Sequence, residues 1–152
     1  TYTNVVEIGR MQLPKYMDRP QIVTQRKNSS QVDISEFNRW AESPTALATR
    51  VLTENLSVLL PTAQIRQHQL KGEATNFIVT VEIVKINAVL GEQAELTAWY
   101  TVKDTSGKIH SHQKFESMVE IGKTYDELAQ GYSQLLAQMS QEIANMLLKQ
   151  SL

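Results

Sequence analysis

The stretch Asn76–Leu90, NFIVTVEIVKINAVL, constrains the fold more than any other part of the chain. It is rich in β-branched residues and free of Gly and Pro until Gly91, which predicts one long strand. Phe77, Val79, Val81 and Ile83 alternate onto one face, and Ile78, Val84 and Ile86 add apolar weight to the other. A strand partly apolar on both faces belongs inside a sheet, with a neighbour on each side and something packed above it.

The segments before it supply a crossover. Val5–Leu13 predicts a first strand stopped by Pro14, with Gly9 marking a bulge or a close backbone approach. Ile22–Arg26 and Gln31–Ser35 flank the polar cluster Lys27-Asn28-Ser29-Ser30, the pattern of a hairpin. Ser43-Pro44 starts a helix, since Ser43 caps a free first-turn N–H and Pro44 gives up an N–H that would be unpaired anyway. That helix is expected over about Pro44–Leu60, ended by Pro61, with Leu47, Val51, Leu52, Leu56, Val58 and Leu59 as one broad apolar stripe. Ala63–Leu70 carries a weaker strand signal around Ile65. Strand, hairpin, helix and strand in this order imply one right-handed parallel crossover.

The segments after it supply a meander and a closing helix. Glu95–Lys103 and Lys108–Ile121 alternate, and Asp104-Thr105-Ser106-Gly107 between them reads as a hairpin loop. Thr124-Tyr125-Asp126-Glu127 is a capping box. The helix behind it, over about Tyr125–Gln150, is expected to bury Tyr125, Leu128, Tyr132, Leu135, Met139, Ile143 and Met146. The expected fold is therefore α/β: a mixed, mostly antiparallel sheet packed against two helices, with a small hairpin near 22–35. With no linker and no internal repeat, residues 1–152 are expected to form a single domain.

Composition excludes several functions. Sixteen acidic against fifteen basic residues give a net charge of -1, no basis for nucleic-acid binding. No apolar run is long enough to cross a bilayer. The chain has no cysteine, so disulfides, thiolate metal sites and a Cys nucleophile are excluded. It begins at Thr1 rather than Met, which fits a processed or trimmed chain that has left an N-terminal anchor behind.

Three motif-like features carry little chemistry. Gly122-Lys123-Thr124 lies between a strand and a helix, but the leading glycine of a phosphate loop is absent. His110 and His112 share one strand face with Glu116 as the best third ligand, and His68 is distant. An exposed polar face explains them better than a metal site, which needs three convergent ligands. Asp104-Thr105-Ser106-Gly107 lacks the second carboxylate of an aspartic protease. No catalytic, cofactor or metal residues are expected, and a hydrolase is disfavoured for want of a nucleophile–base pair.

Two surfaces are candidates for contact. Tyr16, Arg39 and Trp40 are of the residue types that dominate interfaces, although Phe37 and Trp40 also suit the end of the core beneath the first helix. The second helix carries an outer row of Gln130, Gln134, Gln138, Gln141 and Asn145, without Lys or Arg from Thr124 to Leu148. Neutral side chains are less costly to desolvate than charges, so this row is a possible homo-oligomer face as well as a solvated one.

Leu13–Gln25 (LPKYMDRPQIVTQ), Ile34–Pro44 (ISEFNRWAESP) and Ala46–Pro61 (ALATRVLTENLSVLLP) together resemble, in order and spacing, the signature of the ABC-type transport auxiliary lipoproteins of the PqiC/YmbA type. The second half agrees in pattern. The resemblance implies a periplasmic domain held to the outer membrane of a Gram-negative bacterium by an acylated Cys, here upstream of Thr1. It implies partnership with an MCE-domain protein and an inner-membrane transporter in lipid transport, and carries no catalytic residues. Tyr16, Asp18, Arg19, Arg39 and Trp40 are then expected to contribute to the partner surface or to fix its geometry. A periplasmic domain binding a small ligand or lipid in its own apolar pocket is the alternative.

Overall fold

The computed structural model describes residues 4–67 and 75–150. The elements in chain order are β1 (Val5–Ile8), β2 (Gln21–Gln25), β3 (Val32–Arg39), α1 (Pro44–Leu59), β4 (Gln64–Gln67), β5 (Phe77–Val89), β6 (Gln93–Asp104), β7 (Ile109–Glu120) and α2 (Tyr125–Lys149). Five strands form a mixed sheet in the order β4-β1-β5-β6-β7, and β2 and β3 form a separate ribbon. The crossover from β1 through the ribbon and α1 returns as β4, parallel to β1. The long strand β5 is also parallel to β1 on its other side, and β5, β6 and β7 form the expected antiparallel meander.

β5 sits between β1 and β6, as its two-sided apolar pattern requires. Its parity changes along its length. A register shift between Ile83 and Lys85 turns Ile86 and Ala88 onto the helix-covered side, where both are buried. Ile86 is therefore core rather than a second-face residue, because an inserted residue reverses every later side chain. Val84 remains exposed on the uncovered face. The first strand is shorter than expected. It ends at Ile8, and the chain continues beside β5 through Gly9 N–H to Val79 O (2.9 Å), Gln12 N–H to Val81 O (3.1 Å) and Ile83 N–H to Gln12 O (2.8 Å). A Cβ on Gly9 would lie 3.2 Å from Thr80 Cγ2, the close approach its sequence position suggested. Among the described residues of the weak signal at 63–70, Gln64–Gln67 are strand, and 68–70, His68 among them, lie outside the described residues.

The helices run parallel, with Pro44–Val51 of α1 beside Ala129–Leu136 of α2 and Asn55 Nδ2 donating to Ser140 Oγ at 3.1 Å. Ser43 Oγ accepts from Ala46 N–H (3.2 Å) and Thr124 Oγ1 from Glu127 N–H (3.1 Å), both caps as expected. The apolar stripe of α1 is narrower than its sequence: Leu52 and Leu56 are fully buried, whereas Val58 is 78% exposed. At 100° per residue, Val58 points well away from the Leu52–Leu56 line. In its place Thr49 is buried, donating to Thr45 O (2.7 Å) and accepting from Met11 N–H (3.0 Å). α2 buries a second row, Leu136, Ser140, Ala144 and Leu147, because it packs against α1 as well as the sheet.

Candidate functional site

The most apolar concavity among the described residues lies at the seam between the helices. Its volume is about 190 Å³, and its walls include Leu13, Met17, Trp40, Val51, Ile86 and Leu136. The sequence builds it in a definite way. Pro14 nucleates a turn whose carbonyl accepts from Met17 N–H (2.9 Å) and Asp18 N–H (3.2 Å). That turn drops Leu13 and Met17 onto the sheet. Trp40 leaves β3 with its N–H bonded to Pro20 O (2.8 Å), and its ring lies 6.2 Å from that of Tyr132, tilted by 32°. The Tyr132 ring forms part of the cleft, while its hydroxyl is buried with no hydrogen-bond partner among the described residues. Burial pushes the Tyr132 phenol well above its ordinary pKa, with Tyr16 and Glu95 adding to the effect.

The five residues expected at a partner surface separate into two groups. Tyr16 is 40% exposed and donates to Asn87 Oδ1 at 2.8 Å; burial of part of its ring raises its pKa, opposed by Lys85. Arg39 is exposed at the end of β3, and Trp40 lines the cleft beside it. Asp18 instead accepts from the Thr45 N–H (3.2 Å) in the first turn of α1. That is a carboxylate at the positive end of a helix, a structural position. Arg19 is half-buried, its Nε shielded from solvent.

Phe37 is the largest departure from expectation. It does not close the core: it is 94% exposed. Between the pairs Gln21–Arg39 and Val23–Ile34 the ribbon register shifts, leaving 35–38 bulged out of β3. Ser35 Oγ holds that bulge by accepting from Asn38 N–H (3.1 Å). Val32 and Ile34 are also exposed, so β3 presents apolar side chains to solvent, and Val32 lines another hollow with Tyr16 and Asn87. The neighbours of Phe37, Glu36 and Asn38, make the polar–apolar–polar alternation of an inward-facing strand residue, so nothing in the local pattern signals the outward turn.

The other sequence features are accounted for locally. All of Gln130, Gln134, Gln138, Gln141 and Asn145 are exposed. Gln138 accepts from Ser117 Oγ and Gln141 donates to Asn145 Oδ1 at 3.1 Å. A Cβ on Gly122 would fall 1.8 Å from Glu127 Oε2, so the GKT segment holds the chain's own carboxylate at the start of α2. His110 Nε2 lies 2.8 Å from Asp104 Oδ2, and His112 stacks on Trp99 at 4.8 Å. Among the described residues no three His, Cys, Asp or Glu side chains converge as metal ligands. A second hollow of about 270 Å³ on the uncovered sheet face is polar, with Arg10, Glu82, Trp99, Thr101 and His112 around it. The seam cleft offers burial for apolar groups rather than proton transfer.

Comparison with known proteins agrees with this architecture. A family model described as ABC-type transport auxiliary lipoprotein component matches residues 1–144. No curated protein matches the sequence. Among solved structures, an uncharacterised protein is similar over 93% of this chain and 90% of its own, at 21% identity and a TM-score of 0.82. A Xanthomonas campestris protein assigned to the DUF330 family aligns over 99% of this chain and 89% of its own, at 9% identity and a TM-score of 0.78. A PelC dodecamer from Paraburkholderia phytofirmans aligns over 90% and 84%, at 10% identity and a TM-score of 0.55.

Proposed function

The chain belongs to the family of ABC-type transport auxiliary lipoprotein components, and from that premise we propose that it works without catalysis, as a docking module in an intermembrane lipid-transport system. In this reading a lipid on a cysteine upstream of Thr1 holds one domain, residues 1–152, at the periplasmic side of the outer membrane. Two or more acyl chains suffice for a stable anchor, so no spanning helix is needed. The partners are an MCE-domain protein and the inner-membrane transporter of the same system.

The observation that carries the reading is the exposed Phe37, three residues before the Trp40 that lines the apolar cleft. A phenylalanine standing free in water, a short way along the chain from an apolar slot, fits an interface anchor and a receiving pocket. Arg39, next to Trp40 in the chain, and Tyr16, next to Met17, add polar contacts. The test is capture of the MCE-domain partner by Arg39→Glu/Trp40→Ala and, separately, by Phe37→Ser. Because Trp40 packs on Tyr132, circular dichroism checks that the first variant folds. Phe37→Ser touches no core. Undiminished capture by both variants refutes the proposal.

We further propose that copies associate through Gln130, Gln134, Gln138, Gln141 and Asn145. The dodecameric PelC structure, which shares the fold, supports this habit. A monomeric mass by light scattering at working concentration rejects it. The apolar cleft also favours a second reading, in which it holds part of a lipid or other small apolar ligand. That reading requires co-purifying lipid by mass spectrometry, lost when Leu136→Gln makes the cleft polar.

A further inference from the structure

The two ends of the sheet differ in charge. Strand register places Val5, Phe77, Asp104 and Ile109 at one end. α2 returns antiparallel to β7. Its twenty-five residues rise about 37 Å, close to the about 40 Å of β7, so Leu148 and Lys149 arrive at the same end. α1 runs parallel to α2 and brings Val58 to within about two turns of that end. Among the described residues this end carries Lys103, Lys108 and Lys149 against Asp104, whose carboxylate is already bonded to His110. The opposite end carries Glu92, Glu120, Asp126 and Glu127 against Lys27 and Lys123, and the ribbon that brings Lys27 there adds Arg26 paired with Asp33, and Glu36 and Arg39, which cancel. The helix C-termini add partial negative charge at the basic end, but that effect fades within a turn and Lys149 sits on it.

The basic end also exposes apolar side chains. Ile109 is 59% exposed, Leu148 43%, and Val58 stands nearby on α1. Val5, where the described chain enters the fold, lies at this same end.

From this placement we propose that the Val5–Ile109–Lys149 end of the molecule rests directly on an anionic phospholipid surface. Lys103, Lys108 and Lys149 face the headgroups, and Ile109 and Leu148 enter the interface. The inference rests on the tethered reading above and adds an orientation to it: the acidic end and the ribbon that carries Phe37 point away from the lipid, toward a partner. Basic side chains near an anionic surface, backed by a few apolar ones, supply the second signal that steadies a lipid anchor.

The test uses the chain without any lipid attached, mixed with vesicles of phosphatidylcholine alone or with 30% phosphatidylglycerol (about one anionic lipid in three, enough for the surface potential to act). The expected result is sedimentation with the anionic vesicles only, weakening as salt is raised. Lys108→Gln with Lys149→Gln should weaken binding about 25-fold, at about fivefold for each lysine. Since the chain has no native cysteine, a single label is clean. An environment-sensitive dye on Ile109→Cys should shift to the blue on anionic vesicles, and one on Glu120→Cys should not. No sedimentation with anionic vesicles, unchanged binding by the double variant, or equal dye shifts at both ends overturns the proposal. Carbonate extraction of membranes from cells making the full gene product tests the tether independently. Release there rejects the tether, whereas the vesicle result decides the lipid-facing end.

Discussion

Gly131→Ala in α2 should destabilise the protein, although alanine is the better helix former. Removing the helix-interior glycine gains about 1 kcal/mol from backbone propensity. The new Cβ, however, would stand 2.4 Å from Ile121 Cγ2 and 3.6 Å from Ala94 Cβ. Ile121 cannot retreat with its backbone, because its N–H is bonded to Glu92 O (3.1 Å) and the next carbonyl accepts from Gly91 N–H (2.8 Å). Overpacking at a pinned contact costs about 1–3 kcal/mol. The net is a loss of about 1 kcal/mol, or about 2–4 °C in Tm for a domain of this size. Thermal unfolding followed by circular dichroism measures it. The pair with Ile121→Ala is diagnostic: the alanine methyl then partly fills the space the isoleucine leaves, and the double variant should lose at least 1 kcal/mol less than the sum of the singles (order of magnitude). A raised Tm for Gly131→Ala, or strict additivity in the cycle, refutes the reasoning.

Three further outcomes follow from the geometry. Asp18→Ala should lower stability by about 1 kcal/mol, the usual cost of losing a side-chain acceptor at a helix start, while leaving partner capture intact once folded; chemical denaturation and pull-down separate the two effects. Tyr132→Phe should raise stability by about 1 kcal/mol, since it removes a buried hydroxyl without a partner among the described residues; a lower Tm would mean that the hydroxyl is satisfied in solution. Ser106 and His110 hold the Asp104 carboxyl well below the usual carboxylate range. A depressed folded-state pKa stabilises above the unfolded value of about 4 and is lost as pH falls through the folded one. Asp104→Asn should therefore lose less stability than the native chain between about pH 5 and pH 2, read from denaturation midpoints.

Much of the scaffold was legible from local pattern. The alternation in 76–90, the Ser43-Pro44 start, the 124–127 capping box and the loop at 104–107 each specify their element within a few residues, so β5, both helices and the meander appear where they were expected, whereas β1 stops short and β3 runs on to Arg39. Features that depend on packing were not legible. The parity of Ile86 turns on one irregular residue pair, which hydrophobic periodicity cannot reveal. The second buried row of α2 follows from where α1 lies, and Val58 is exposed because α1 meets only two surfaces. The separate placements of the site residues also depend on packing. Asp18 and Trp40 both fall in the segment that resembles the family, yet one supports a helix and the other lines a cleft. Phe37 looked like core by residue type, and a bulge held by Ser35 turned it outward.

The most direct test of the docking account is the affinity of the MCE-domain partner for Phe37→Ser, measured by biolayer interferometry beside the native chain. A central aromatic anchor is worth about 2 kcal/mol, so binding should weaken about 30-fold. A residue this exposed should leave Tm unchanged within about 1 °C. Equal affinities for the two chains would contradict the account.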